Sequence, residues 1–224
     1  MTVQPAFYGR TGTRAGDLVT VLHLPYTVWH LSYVAIGAAL APQIDGVRLV
    51  GTLAAFVFGL GVGAHALDEV HDRPLGTALS TRALWALGVG GLVVAAAVAA
   101  AGAVVISPWV MLWAAVGIAL ALAYSLELSP LIHSDLGFAL AWGAFPTLVG
   151  FWAQTEEVTW AALAMAAAAT ALSAVQRSLS KPAREIRRGP RPSEAGELAR
   201  WETPLRYLSV GVPLIALALL ATHI

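Results

Sequence analysis

Residues 83–103 read ALWALGVGGLVVAAAVAAAGA and contain no charged side chain. A helix of about 20 such residues rises about 30 Å, the thickness of a bilayer's hydrocarbon core. The stretch is apolar all round and lacks the polar face of a helix that lies on a soluble core. It is therefore expected to span a membrane. Working outward from it, similar stretches stand at about 21–40, 47–67, 107–126, 135–153, 158–179 and 204–222, each near the roughly 20 residues a span needs. The whole chain of 224 residues is 58% hydrophobic and 12% charged.

The expected fold is thus all-α, a polytopic transmembrane helical bundle of about seven helices. Residues 1–20 would form a cytoplasmic N-terminal segment and 21–224 the membrane domain, with cytoplasmic loops at about 68–82, 127–134 and 180–203. This leaves no room for a soluble domain. The absence of cysteine excludes disulfides, thiolate metal sites and cysteine nucleophiles. The first twenty residues hold Arg10, Arg14 and Asp17 but no short apolar core ahead of a small-residue cleavage site, so the first span is expected to be retained. A net charge of zero argues against a nucleic-acid partner.

Charge distribution sets the expected orientation. With the N-terminus inside, the inner segments carry Arg10, Arg14, Arg73, Arg82, Arg177, Lys181, Arg184, Arg187, Arg188, Arg191, Arg200 and Arg206, whereas the outer loops carry Arg48. Short loops rich in Lys and Arg stay cytoplasmic, which places the N-terminus inside and the C-terminus outside. The expected location is a prokaryotic plasma membrane, as a multi-pass protein. Within the spans, Gly59, Gly61 and Gly63, the glycines Gly88, Gly90 and Gly91, and the alanine runs are expected to allow close helix packing in lipid. No fixed-period repeat points to inverted transporter halves.

The second span ends in Ala64-His65-Ala66-Leu67-Asp68-Glu69-Val70-His71-Asp72-Arg73-Pro74-Leu75. His65, Asp68 and Asp72 recur at spacings of three and four and share one face of a continuing helix. Two carboxylates one turn apart suit Mg²⁺, which takes its remaining ligands from water and phosphate oxygens. Glu69 and His65 are further candidate ligands, and a zinc site on that pair is a weaker alternative. The plainer alternative is a set of interfacial charges that pair with Arg73 and Arg82. Against it, His65 and Asp68 follow directly on apolar sequence, where an ionisable group points to function. Pro74 is expected to stop the helix.

A second signal is Tyr124-Ser125-Leu126-Glu127-Leu128-Ser129-Pro130-Leu131, followed by Asp135-Leu136-Gly137 and Trp142-Gly143-Ala144-Phe145-Pro146. An acidic motif ending the second helix, an Arg-Pro-Leu after it, and a Tyr-Ser loop before a glycine-containing fifth helix together resemble the UbiA superfamily of intramembrane prenyltransferases. The likeness runs in order over about residues 20–190. The family's Asn-Asp-x-x-Asp-x-x-x-Asp motif falls here on Ala64, His65, Asp68 and Asp72, so its leading pair is replaced. Its second acidic motif, at the end of the sixth helix, is replaced by the basic run from Gln176 through Arg177, Lys181 and Arg184 to Arg188. Members usually have eight or nine helices.

The resemblance implies an enzyme that transfers an alkyl group other than methyl. Its substrate would be an isoprenyl diphosphate, Mg²⁺ would assist departure of the diphosphate, and the prenyl group would pass to an acceptor or cyclise. The implied catalytic residues are Asp68, Asp72 and Tyr124, and the metal ligands Asp68, Asp72, Glu69 and His65. Arg73, Arg177, Lys181, Arg184, Arg188 and Ser125 would bind the diphosphate, since guanidinium groups grip phosphate oxygens in bidentate fashion. As a plainer alternative, the arginines form a positive-inside anchor on anionic lipid, and Tyr124 belongs to an interfacial aromatic belt. His30 is expected to find a hydrogen-bond partner inside the bundle, and Trp142 and Phe145 are candidates to line an isoprenoid-sized apolar cavity, with plain core packing as the commoner role of aromatic residues at this spacing. Pro190, Pro192 and Ser193 read as a covering loop.

Two other function classes stay open. One is a catalytically silent UbiA-like protein that binds lipid or assembles with a membrane-protein partner or with itself. The other is a transporter or a metal-dependent membrane hydrolase, although no Gly-x-Ser-x-Gly motif or His-x-x-x-His pair occurs.

Overall fold

The computed structural model describes residues 6–10, 12–189 and 195–223, apart from the side chains of Asp72 and Ala195. No strand occurs among them. The helices are α1 (Arg14–Val21), α2 (Leu24–Ala39), α3 (Gly46–Phe56), α4 (His65–Asp72), α5 (Thr81–Val105), α6 (Val110–Ser125), α7 (Asp135–Ala139), α8 (Phe145–Thr155), α9 (Trp160–Arg188) and α10 (Ala195–Ala221). A π-helical stretch, Val57–Ala64, joins α3 to α4 in one rod, and a second, Leu140–Ala144, joins α7 to α8. Pro190, Pro192 and Ser193, expected to cover the site, lie outside the described residues.

Five stretches are long and apolar enough to cross a membrane: Gly46–His71, Thr81–Val105, Asp135–Thr155, Trp160–Arg188 and Gly196–Ala221. The α6 rod is apolar but shorter. Val93, Val104, Leu112, Val210 and Leu217 stand exposed on the outside of the bundle, as befits a surface whose solvent is hydrocarbon. Trp109 and Trp160, at the starts of α6 and α9, are exposed near one end of the bundle, where tryptophan suits a membrane–water boundary.

Four helix starts have a local cause. Asp45 accepts hydrogen bonds from the N–H groups of Val47 and Arg48, Ser80 from Ala83, Ser134 from Gly137 and Thr159 from Ala162, which satisfies donors that the first turn leaves unpaired. Helix α4 stops where Arg73 enters the left-handed region at φ 50°, because the following Pro74 disfavours continued helix. Glu127 after α6 and Glu156 after α8 adopt the same conformation, at φ 52° and 58°.

Packing follows the small residues. A β-carbon on Gly37 would collide with the Thr147 carbonyl, and one on Gly150 with the Val34 carbonyl, so α2 and α8 meet backbone to backbone. A β-carbon on Gly91 would lie 2.6 Å from the Phe58 oxygen and 2.7 Å from the Gly63 nitrogen, which seats α5 directly on the first π stretch. Gly90 departs from the expected packing role. It faces outward with nothing within 4 Å of an added β-carbon.

Two expected loops are shorter in the structure. The segment 68–82 is helical through Asp72, and 180–203 is helical up to Arg188 and again from Ala195. Hydropathy ends a span where charge begins, but a helix that projects beyond lipid keeps its backbone hydrogen bonds while its side chains meet water. Pro182 lies inside α9.

Rods joined by short connections alternate in direction. The starts of α2, α5, α7 and α10 therefore gather at one end with the ends of α4, α6 and α9. At the opposite end Arg48 pairs with Glu156 at 3.3 Å, and the Asp45 N–H donates to Gln154 at 2.8 Å.

Candidate functional site

The end that collects the basic residues contains a polar cleft of about 100 Å³. Helix α4 directs His65 and Asp68 into it, one turn apart, as their spacing demands. The end of α6 contributes Tyr124 and Ser125, α9 contributes Gln176, Arg177, Ser180, Arg184 and Arg187, and α2 contributes Tyr26 and His30. Leu60 and Trp142 complete the floor.

The same Leu60 and Trp142 also line a second cavity of about 250 Å³ between α3, α5, α6 and α8. Its wall is almost wholly apolar and includes Phe56, Ala95, Gly102, Trp113 and Phe145, with Arg48 at its far end. Of the two roles open to Trp142 and Phe145, the structure shows both residues lining an apolar cavity. Leu60 lies in the first π stretch and Trp142 in the second. The waist between the two spaces is thus made by the two segments where the regular helical ladder is interrupted, a feature frequent at functional sites. His30 Nδ1 lies 2.9 Å from the Trp142 carbonyl, and Ser125 Oγ donates to the Ala64 carbonyl at 3.0 Å. Both side chains steady the π stretches, and His30 has the interior partner expected of it.

The basic residues of α9 are held in place. Arg177 Nε donates to Asp135 Oδ1 at 3.1 Å, its guanidinium lies 5.1 Å from the centre of the Phe138 ring, and Lys181 Nζ is 3.7 Å from the same carboxylate. Arg187 Nη1 pairs with Glu202 Oε1 at 2.7 Å, and Arg206 reaches the other oxygen of Glu202 at 3.6 Å. Each carboxylate is shared between two cations, so the surplus at the mouth is positive. Arg184 is paired with no carboxylate among the described residues.

Not every expected site residue reaches the cleft. Arg73 turns into its own loop and donates to the carbonyls of Thr77 and Leu79 and to Thr81 Oγ1. Glu69 is completely buried and accepts from the N–H groups of Leu75 and Thr77 and from Thr77 Oγ1. It serves the loop after α4, and Asp17 of α1 helps by accepting from the Ala78 N–H at 3.1 Å. Lys181 stays with Asp135 outside the cleft lining, and Arg188 is exposed outside it. The side chain of Asp72 lies outside the described residues.

The donors present bear on a metal as follows. Among the described residues no group of three His, Asp or Glu side chains converges on a metal position, and Asp68 is the one carboxylate lining the cleft. Mg²⁺ takes one or two carboxylates plus phosphate oxygens. Asp68 is thus the described carboxylate that would hold Mg²⁺ here, with phosphate oxygens as further ligands.

Tyr8, His23 and Tyr26 are site residues that sequence reasoning missed. Tyr8 Oη lies 3.0 Å from His23 Nδ1, and the His23 ring stacks on His65 with centroids 4.4 Å apart. Burial pushes the Tyr8 hydroxyl well above the ordinary tyrosine range, which keeps it neutral. The spacing of His23, Tyr26 and His30 at three and four residues was a usable signal, because it puts three polar rings on one face of an apolar span.

No family model, curated protein or solved structure matches the chain. Fold and site together define its class: an all-helical protein with membrane-length apolar helices, in which a cationic cleft adjoins an apolar chamber across Leu60 and Trp142.

Proposed function

We propose that the chain is a divergent UbiA-type prenyltransferase that crosses the membrane seven times and acts on an isoprenyl diphosphate from the cytoplasmic side. The observation that carries this is the shared waist. A charged cleft and an apolar chamber that meet at Leu60 and Trp142 suit a ligand with an anionic head and a hydrocarbon tail. The cleft end also holds the basic residues, which the positive-inside rule assigns to the cytoplasm.

In this reading Arg177, Arg184 and Arg187 bind the diphosphate, and guanidinium forks match its oxygens. Asp68 would hold Mg²⁺ together with the diphosphate oxygens, and the ion would supply charge neutralisation there. The bond from the allylic carbon to oxygen breaks, and the electron pair leaves with the diphosphate that the arginines hold. The rings of Tyr124 and Trp142 stand 5.6 Å apart, edge to face, and offer π-electron density to the allylic cation. An acceptor then forms the new bond and gives up a proton.

A catalytically silent lipid-binding relative is the second reading. The ion pairs Arg177–Asp135 and Arg187–Glu202 favour it, because they satisfy two arginines without any ligand.

The test is binding of geranylgeranyl diphosphate to detergent-purified protein, with and without Mg²⁺, for wild type, Asp68→Asn, Asp72→Asn and Arg184→Ala. Mg²⁺-dependent binding weakened in both aspartate variants supports the enzyme. Binding that ignores Mg²⁺ but needs Arg184 indicates a metal-free phosphate site, and no binding refutes the proposal.

A further inference from the structure

Residues 6–10 are not helical, and they run between α10 and α1 with Tyr8 let down into the cleft. The Gly9 N–H donates to the Ala6 carbonyl at 2.8 Å and closes a turn around Phe7 and Tyr8. Tyr8 is half-buried. Its ring meets Tyr26 edge to face at 5.6 Å, and its hydroxyl oxygen lies 3.0 Å from His23 Nδ1. The two ends of this segment are held unequally. On the α1 side the Arg10 N–H donates to the hydroxyl of buried Thr20 at 2.7 Å, and the Arg10 carbonyl sits so close to Gly16 that a β-carbon there would collide with it. On the α10 side the Arg206 guanidinium lies 5.0 Å from the centre of the Phe7 ring. The Arg206 side chain is 60% exposed, and a cation–π contact in water is weak. The segment is therefore hinged at α1 and latched at α10.

The latch is wired to the cleft. Arg206 Nη2 is 3.6 Å from Glu202 Oε2, and the other oxygen of that carboxylate takes Arg187 Nη1 at 2.7 Å. Arg187 lines the cleft, and Glu202 is buried. An anion in the cleft competes with Glu202 for Arg187. A buried carboxylate is costly to leave short of its cation, so Arg206, one turn further along α10, closes on Glu202 and withdraws from Phe7.

We infer that residues 6–10 are a strap that closes the empty cleft, and that a phosphate-bearing anion releases it by taking Arg187 from Glu202. The release rests on the reading of the cleft as a diphosphate site, whereas the latch between Phe7 and Arg206 does not. Coupling between two sites is reciprocal, so a protein with a broken latch binds the anion more tightly.

The chain has no cysteine, so Ala6→Cys, at a buried position next to Phe7, introduces a single thiol. Its rate of modification by a water-soluble maleimide reads how often the strap lifts. Inorganic diphosphate is added to the same protein in lipid nanodiscs, with its binding followed by calorimetry. It is expected to speed modification about fivefold, the factor that loss of an exposed cation–π contact gives. Phe7→Ala and separately Phe7→Leu, which keeps apolar bulk, are each combined with Ala6→Cys, so that a folding failure in one leaves the other decisive. Both should react at the raised rate without diphosphate, gain nothing from it and bind it severalfold more tightly. Glu202→Gln cuts the wiring, so bound diphosphate should leave its rate unchanged. Diphosphate that binds the protein with Phe7 intact but does not alter the rate, or Phe7 variants that react no faster, overturns the strap and leaves the diphosphate reading standing. If neither inorganic nor geranylgeranyl diphosphate binds any of these proteins, that reading falls and the release falls with it.

Discussion

Replacing Glu69 separates two roles that its position beside Asp68 leaves open, metal ligand and loop anchor. In the structure its carboxylate accepts from Leu75 N at 2.9 Å, Thr77 N at 2.9 Å and Thr77 Oγ1 at 2.8 Å, and no part of the residue is exposed. A hydrogen bond to a charged group contributes about 1.5–3 kcal/mol, and a buried donor left unpaired costs about 1–3 kcal/mol. Three donors lose their acceptor in Glu69→Ala. With water entering part of the vacated volume, the expected loss is about 3–5 kcal/mol. Glu69→Gln keeps the shape and one acceptor oxygen but sets an amide N–H₂ against a backbone N–H, for an expected loss of about 2 kcal/mol. The assay is thermal denaturation in detergent, together with limited proteolysis of the loop between α4 and α5. Alanine should lower the melting temperature more than glutamine, and both should speed cleavage in that loop. A Glu69→Ala protein with wild-type melting and cleavage but no Mg²⁺-dependent ligand binding would refute the anchor role and restore the residue as a metal ligand.

Two further substitutions probe the architecture. Leu60→Trp fills the waist between cleft and chamber, so binding of geranylgeranyl diphosphate should weaken at least tenfold while inorganic diphosphate still binds; equal weakening of both would show that the two spaces are not occupied by one ligand. Gly150→Leu forces a side chain into the Val34 carbonyl across the α2–α8 contact, and the expected outcome is loss of monodisperse protein on size exclusion; a well-folded variant would show that this contact is not what holds the helices together.

Much of the candidate site was legible because it depends on neighbours in the chain. The three-residue spacing of His65 and Asp68 puts both on one face of α4, so that they enter the cleft together. Glu69 and Arg73 show where that logic stops. Each lies within a turn of Asp68, yet one faces the buried loop and the other curls into it, because the left-handed break at Arg73 reverses the chain and supplies backbone partners that no spacing reveals. Tyr8 and His23 meet across fifteen positions, and their pairing depends on how α1 and the turn before α2 lie against α4.

Apolar length and the sequence positions of the basic residues are local, additive properties, and by themselves they determined an all-helical protein with membrane-length spans and its cations gathered in alternate connections. Which side chains converge was decided only by tertiary structure. Each residue turns a helix by about 100°, so the extra residue of a π turn redirects everything beyond it, and this chain has π stretches in two of its rods. The rotational phase of those rods is then locked by close backbone contacts at Gly91 and Gly143. It is this packing that brings Leu60 and Trp142 together as one waist.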